Sequence, residues 1–544
     1  MKHSYIDLLR YPDSVLFQFE DSDYRFEEPA TREERKARID YKVENGEGVI
    51  TLYPTEKPLC RVKMRWRGDM SDVISVLGDA LERKYDLING DVKYGNVAAW
   101  RSIMPQMRMS WYFHAYDGAR LNCFGVKTGA NAICDFYCDE GGITLWLDVR
   151  CGGGGVSLKE PLVAARVVCR EGSSGENPFE VSRAFCKIMC DKPVLPKNPI
   201  FGVNNWYWAY GSISHDIVMA DTDNLMDMCA DAVAKPYMII DDGWQCNRRP
   251  VGEVTFIGGP WDKPNERFES MQKTADAIIE KGARPGIWFR PLLASLPVSE
   301  SWKSPYQEDS RGGATLDASN PEVLEMIGRD VRRIRSWGYE LIKHDFSTFD
   351  ILGHDGRVDS QNHFYDRSLT NATIIKRLYK TIQSAAGEGI VIGCNTVNHL
   401  VAGIHAAQRS GHDTSGRSYE ITRAAGGAAM LRLPQNNTFF NLDPDCAAFT
   451  NRVPTEPNLD FLELCAITGV TTLASVTPGI IKGADMTRIR KIYRMASEGG
   501  RGAVPTDWLC HNVQSKYVMQ DGERFDIDWY KTYDGTRMIY TWQN

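Results

Sequence analysis

The sequence predicts an α/β chain whose largest part is a (β/α)8 TIM barrel, preceded by an N-terminal antiparallel β-sandwich and followed by a short C-terminal β segment. Three observations carry this. Over residues 196–500 short apolar runs alternate with longer amphipathic stretches, and eight such units in about 300 residues is the arrangement of a closed parallel barrel. Over residues 1–195 the runs are short, alternating and punctuated by Gly, Asp and Asn, as in VITLYP, RVKMRW, GITLWLDV and ARVVC, the pattern of an antiparallel sandwich. The Pro-containing stretch DKPVLPKNP links the two, and β character returns over 501–544 in KYVMQ, FDIDWYKTY and TRMIYTW.

Taken in chain order, the first region is expected to hold two helical stretches, Met70–Arg83 and Asn177–Met189. Its run Gly152–Gly155 lacks the Lys-Ser/Thr of a phosphate loop and reads as a flexible turn. The barrel strands are expected at IFGVNNW, YMIIDDGW, ARPGIWF, ELIKHDF, GIVIGCN, HAAQRSG, NTFFNLD and GVTTLAS. Helices are expected at Pro321–Trp337 and Tyr365–Ala386, and Ser214 suits the cap of a helix opening at His215 and Asp216. The fifth-to-sixth connection, Thr396–Ile404, is short for a crossover helix.

Composition excludes several function classes. The 544 residues carry a net charge of -7, with no basic excess, so nucleic acid is not an expected partner. No run of about 20 apolar residues suits a membrane span. The start, MKHSYIDLLRYPDSV, has no signal-peptide core, so the expected location is cytoplasmic. The 14 Cys are scattered; Cys134/Cys138 and Cys186/Cys190 are the closely spaced pairs, and they read as reduced and buried. His residues do not cluster at strand ends, and nothing demands a metal or organic cofactor. The 14 Trp suit stacking on sugar faces and core packing alike.

Catalytic groups of such barrels sit at the C-terminal strand ends. Here those ends carry Asn204, Asn205 and Trp206; Asp241, Asp242 and Trp244; Trp288; Lys343, His344 and Asp345; Arg409 and Asp413; Asp443 and Asp445. Acids there are costly to desolvate unless they are paired or functional. Lys343 and Asp345 are two apart and share a strand face, so a cation beside Asp345 would favour an ionised nucleophile; the same spacing fits a structural ion pair. His344 is expected to face the helices, and His412 adjoins Asp413. Glycosidic hydrolysis uses two carboxyl groups across the scissile bond, about 5–5.5 Å apart for retention, and strands four and six can supply them.

FGVNNWYWAYG followed by YMIIDDGWQ resembles the first two barrel strands of the α-galactosidase (melibiase) superfamily, glycoside hydrolase clan D. LIKHDF, RSGHD and NLDPDC resemble its later motifs in the right order, over roughly Ile200 to Gly500, and the sandwich makes the chain most similar to family thirty-six. The resemblance implies a retaining α-glycoside hydrolase, foremost an α-galactosidase, acting on a small carbohydrate substrate. It implies Asp345 as nucleophile and Asp413 as acid/base, with Lys343 and Arg409 bonding sugar hydroxyls. It further implies Asp241 and Asp242 as acceptors for outer hydroxyls, Trp206 and Trp288 as aromatic walls, and Cys394 at the end of strand five.

Two departures stand beside it. CNTVNHL replaces a Ser- and Gly-containing segment, and Trp-Phe-Arg-Pro replaces Trp-x-Glu-Pro. Asn395 and Arg290 are therefore candidates to read an N-acetyl, carboxylate or other substituent. The alternatives are an α-glycosidase for such a sugar (N-acetylgalactosamine is one), a raffinose-synthase-like transglycosidase, and a non-catalytic sugar-binding protein. Asp443 and Asp445 read as orienting groups, and a homo-oligomer is an analogy to relatives.

Overall fold

The computed structural model describes residues 5–20, 38–79, 108–246, 258–295, 297–305, 313–352, 362–509 and 513–530. Strands from Ser14–Phe19 to Leu162–Arg170 form one ten-stranded antiparallel sheet that folds over a shared core in sandwich fashion. Its strands Met109–Tyr116 and Leu121–Val126 are buried almost throughout, because both of their faces are covered. Helix Pro178–Met189 supplies part of that cover. Asn177 caps it, its Oδ1 accepting from the N–H groups of Phe179 (3.0 Å) and Glu180 (3.3 Å).

The expected helix Met70–Arg83 is instead a strand, Ser75–Asp79, paired with Met109–Tyr116; its last four residues lie outside the described ones. Val76 and Leu77 gain full burial by joining the sheet, and that pairing overrides the local helical period.

The second sheet is parallel throughout and holds all eight predicted strands: Phe201–Asn204, Tyr237–Ile240, Arg284–Phe289, Leu341–His344, Ile390–Gly393, Ala407–Arg409, Asn441–Asp443 and Thr472–Val476. A ninth segment, Cys446–Phe449, was not expected. It follows Asn441–Asp443 after only Pro444 and Asp445. The first piece pairs with Ala407–Arg409 and the second with Thr472–Val476. The seventh strand is thus broken in two, each half bonded to a different neighbour, and the chain itself closes the ring through the break. Pro444 has no N–H to give a ladder, and Asp445 turns the chain at φ 70°. Of NTFFNLD only the final three residues are strand; Asn437–Phe439 form a turn.

Ser214 caps helix His215–Met228 as expected, and Pro321–Ser336 ends one residue before the expected limit. Helix Asn371–Ala386 begins later than expected, because Asp366 holds the preceding residues in a turn (Ser368 N–H to Oδ1, 3.0 Å) and Thr370 caps the helix. Between strands five and six stands a single helical turn, Asn398–Val401. The sandwich fills the place of the missing helix. Trp111 stacks on His399 with centroids 4.9 Å apart, and His399 Nε2 lies 2.9 Å from the Val126 carbonyl oxygen.

The turn Gly152–Gly155 is buried rather than flexible. The N–H groups of Gly153 and Gly154 donate to the Asn362 carbonyl (2.8 and 3.2 Å), and Gly152 N–H donates to Asn371 Oδ1 (2.6 Å), docking the sandwich on the barrel. Downstream, Val504–Pro505, Lys516–Val518 and Arg524–Asp526 make a small antiparallel sheet. TRMIYTW and the end of FDIDWYKTY lie outside the described residues. The described cysteines are free thiols, and no described helix is long and apolar enough to cross a membrane.

Candidate active site

Asp345 follows the last residue of strand four, at the floor of an open cleft. Three N–H groups hold its carboxylate. Trp288 Nε1 donates to Oδ2 (3.0 Å), while Phe346 N–H (2.6 Å) and Asn395 Nδ2 donate to Oδ1. The backbone is shaped for this. Phe346 (φ 63°) and Asn395 (φ 49°) both adopt the left-handed region, which Asn tolerates and a bulky aromatic does not without support. Support comes from Thr348, whose N–H (3.0 Å) and hydroxyl (2.6 Å) both donate to the Asn395 carbonyl, and from the Arg290 guanidinium 4.4 Å over the Phe346 ring.

Lys343 makes its ion pair with Asp241, not with Asp345. Its ammonium reaches past strand three to Asp241 Oδ2 (2.8 Å) at the end of strand two, and both side chains are almost fully buried. Asp345 lies past the strand end, where the chain turns at Phe346; both side chains line the cleft, but the ammonium bonds Asp241 while the carboxylate takes N–H donors. Burial alone would lower the Lys343 pKa, but Asp241, with Cys394 and Asp445, outweighs it and holds the ammonium charged. Asp241 also accepts from Asn204 Nδ2 (2.7 Å) at Oδ2 and from Asp242 N–H (2.9 Å) at Oδ1. Gln245 Nε2 donates to Asp242 (2.7 Å). Asp241, Asp242 and Lys343 all face the cleft.

Asp413 lines the same cleft with a side chain 41% exposed. Arg409, fully buried, donates from Nη2 to Asp413 Oδ1 (3.2 Å), lies 3.3 Å from Asp445 Oδ2, and reaches Cys394 Sγ from Nη1 (3.4 Å). Burial works against the charge on Arg409, and Asp445 above all restores it. Tyr207 Oη donates to Asp445 Oδ2, and the Thr414 N–H (2.9 Å) and hydroxyl (3.1 Å) donate there too. Asp443 accepts the Asp445 N–H (2.9 Å), and burial pushes its carboxyl up to about 6 against the pull of Arg409.

The structure therefore brings Trp206, Asp241, Asp242, Trp288, Lys343, Asp345 and Asp413 to one cleft. Cys394, Asn395 and Arg409 contact the carboxylates or their partners from behind it. Arg290 also lines the cleft, but it does not stand ready for an acidic substituent. Its Nε and Nη2 fork onto Asp350 (3.0 and 2.6 Å), with both side chains buried. The carboxylate arrives from the helix after strand four, a partner that no local spacing revealed.

Sequence reasoning missed Tyr207, Gln245, Phe346 and Trp261. Trp261 lies on the long connection after strand two and packs edge-on against Trp288, centroids 5.9 Å apart. The dense aromatics of WYWAYG and GGPW were the available signal.

No protein-family model and no curated protein matches the chain. Among solved structures, an α-galactosidase from Thermus thermophilus in complex with p-nitrophenyl α-D-galactopyranoside superposes with TM-score 0.60 at 18% identity, covering 90% of this chain and 96% of that one. The GH36 α-galactosidase AgaA from Geobacillus stearothermophilus gives TM-score 0.58 at 12% identity, over 94% and 81%. The α-galactosidase from Lactobacillus brevis gives 0.58 at 11%, over 90% and 70%. A sandwich, a parallel barrel and a cleft at its strand ends, superposed over most of the chain, give this protein the fold of the GH36 α-galactosidases.

Proposed function

We propose that the protein is a retaining α-glycosidase acting on α-galactosides. One observation carries the reading: two carboxylates from strands four and six line a single cleft, one fixed at its floor and one half exposed at its wall. Asp345 attacks the anomeric carbon as the C–O bond to the leaving group breaks, and Asp413 gives that oxygen its proton. Asp413 then takes a proton from water, whose oxygen attacks the anomeric carbon and frees Asp345. Three N–H donors aim the attacking carboxylate, and Asp413 has the solvent contact that proton exchange needs.

The substrate class rests on two further points. The cleft carries Asp241, Asp242, Asp345 and Asp413 against Lys343 and Arg290, an excess of acceptors suited to neutral sugar hydroxyls and unfavourable to anionic sugars. Structures of the same fold hold p-nitrophenyl α-galactoside, stachyose and raffinose.

The test is nitrophenol release from a panel of aryl α- and β-glycosides by the wild type and Asp345→Ala. Strong α-galactoside cleavage that the variant loses is the expected result. Cleavage confined to another α-glycoside would keep the mechanism and move the specificity to the Arg290–Asp350 side. No cleavage of any member would refute the reading.

A further inference from the structure

We propose that Asp79, a residue of the N-terminal sheet, is a positioning residue for the acid/base side of the cleft, acting through Arg432. The inference rests on the reading of Asp413 as acid/base. Asp79 ends strand Ser75–Asp79 and is 3% exposed. All three of the following donors to it come from the barrel. Arg432 Nε donates to Oδ1 (2.7 Å), and Gln435 Nε2 (2.8 Å) and Asn398 Nδ2 (3.1 Å) donate to Oδ2.

These partners lead to the chemistry from two directions. Arg432 Nη1 donates to the Ser410 carbonyl oxygen. Ser410 directly follows Arg409, stands three residues before Asp413, and is itself tied by its N–H (3.1 Å) and hydroxyl (3.2 Å) to the Asp443 carbonyl. A carboxylate of one domain thus orients a guanidinium that grips the loop carrying Asp413 in the other. Asn398 opens the short turn three residues after Asn395, which bonds Asp345. Gln435 also donates to the hydroxyl of Tyr112, in the same sheet as Asp79 (2.7 Å).

A buried ion pair is weak evidence of stabilisation, because apolar replacements of similar volume often serve as well. What a planar guanidinium does supply is direction, since its donors leave in fixed orientations. Arg432 spends one on Asp79 and another on Ser410. The sandwich also occupies the place of the crossover helix between strands five and six. It is therefore the structural wall against which this loop can be held.

The experiment compares the full-length wild type with Asp79→Asn and Asp79→Ala, using aryl α-galactosides whose leaving groups run from 2,4-dinitrophenol to phenol. Amide hydrogen exchange over residues 410–418 is measured on the same proteins. General acid catalysis is worth roughly 10²–10⁴, and only poor leaving groups need it, so displacing Asp413 should cost the phenyl substrate about tenfold or more in kcat/KM and the dinitrophenyl substrate less than about threefold. Exchange over 410–418 should quicken. A purely structural role lowers the active fraction equally for every substrate. Equal losses across the series, or exchange at the wild-type rate, would overturn the proposal. If the Asp79 variants do not fold, Arg432→Lys, which keeps the charge but not the planar fork, is read in the same two assays. A wild type without glycosidase turnover would refute the functional reading alone, and the exchange rates would still decide whether Asp79 holds the loop.

Discussion

Asp345 and Asp413 stand two strands apart in one barrel, and their surroundings differ in kind. Around Asp345 the partners are neutral: an indole N–H, an amide N–H and a backbone N–H, fixed by two residues in left-handed conformations. Around Asp413 they are charged: Arg409 is shared with Asp445, which Tyr207 and Thr414 also bind. The first arrangement fixes the direction of an attacking oxygen with neutral donors. The second surrounds a group that must change charge within each cycle, with a cation and an anion close enough to balance either state. One fold thus builds two carboxylate environments, by hydrogen-bond donors on one side and by ion pairs on the other.

The largest test of this contrast is removal of each carboxylate. Asp345→Ala should lose about 10⁴-fold or more in kcat on every substrate, and Asp413→Ala about 10²–10⁴-fold with sparing of activated leaving groups. Azide separates the two further. It should give an α-galactosyl azide with Asp413→Ala, by attack on the glycosyl-enzyme, and a β-galactosyl azide with Asp345→Ala, by direct displacement. Product anomers assigned by NMR check this, and reversed anomers would exchange the two roles.

Smaller effects probe the partners. Asn395→Ala deletes one donor to a carboxylate, an interaction worth about 1.5–3 kcal/mol, so kcat should drop about 10- to 100-fold with little change in KM. Tyr207→Phe deletes one of several bonds to Asp445 and should cost about tenfold or less, concentrated on poor leaving groups. If the Tyr207 variant proved the more damaging across all substrates in steady-state kinetics, the charged side would be doing more than proton transfer.

The smallest effect on activity is expected behind the first strand. Asp221, on helix His215–Met228, and Asn205 line one small cavity, and burial pushes the Asp221 carboxyl up to about 8. The sign follows from linkage. The unfolded carboxyl ionises near 3.8, so below that pH folding carries no penalty, and stability falls as pH rises from about 4 to about 8. Asp221→Asn should therefore leave Tm unchanged near pH 4 and raise stability by up to about 5 kcal/mol above pH 8. Thermal melts across that range check it, and a gain largest in acid would refute it. Asn205 Oδ1 accepts the Asp241 N–H (3.0 Å), so kinetics of the same variant show whether the cavity communicates with the cleft.

Much of the site is legible in the amino-acid order alone. Acids at the ends of apolar strands are expensive unless used, and DDGWQ, KHDF and RSGHD mark three such ends. The eight barrel strands were legible for the same reason: buried parallel strands are short apolar runs, whatever they pack against. The errors have a common source. Met70–Arg83 has a helical period, and part of it became a strand because an open edge lay beside it. The partner of Lys343 was not legible, because same-face spacing on one strand names no residue of another.

By itself, the sequence determined the layer order, the strand ends and which acids face the cleft, since periodicity and the cost of burying charge are local properties. The tertiary structure decided the partners: Asp241 for Lys343, Asp350 for Arg290, Asn395 for Asp345 and Asp79 for Arg432. It also decided how the seventh strand breaks to close the ring. Each of these joins residues far apart in the chain, and hydrogen bonds depend on distance and direction, which exist only once the strands are in register and the two domains are docked.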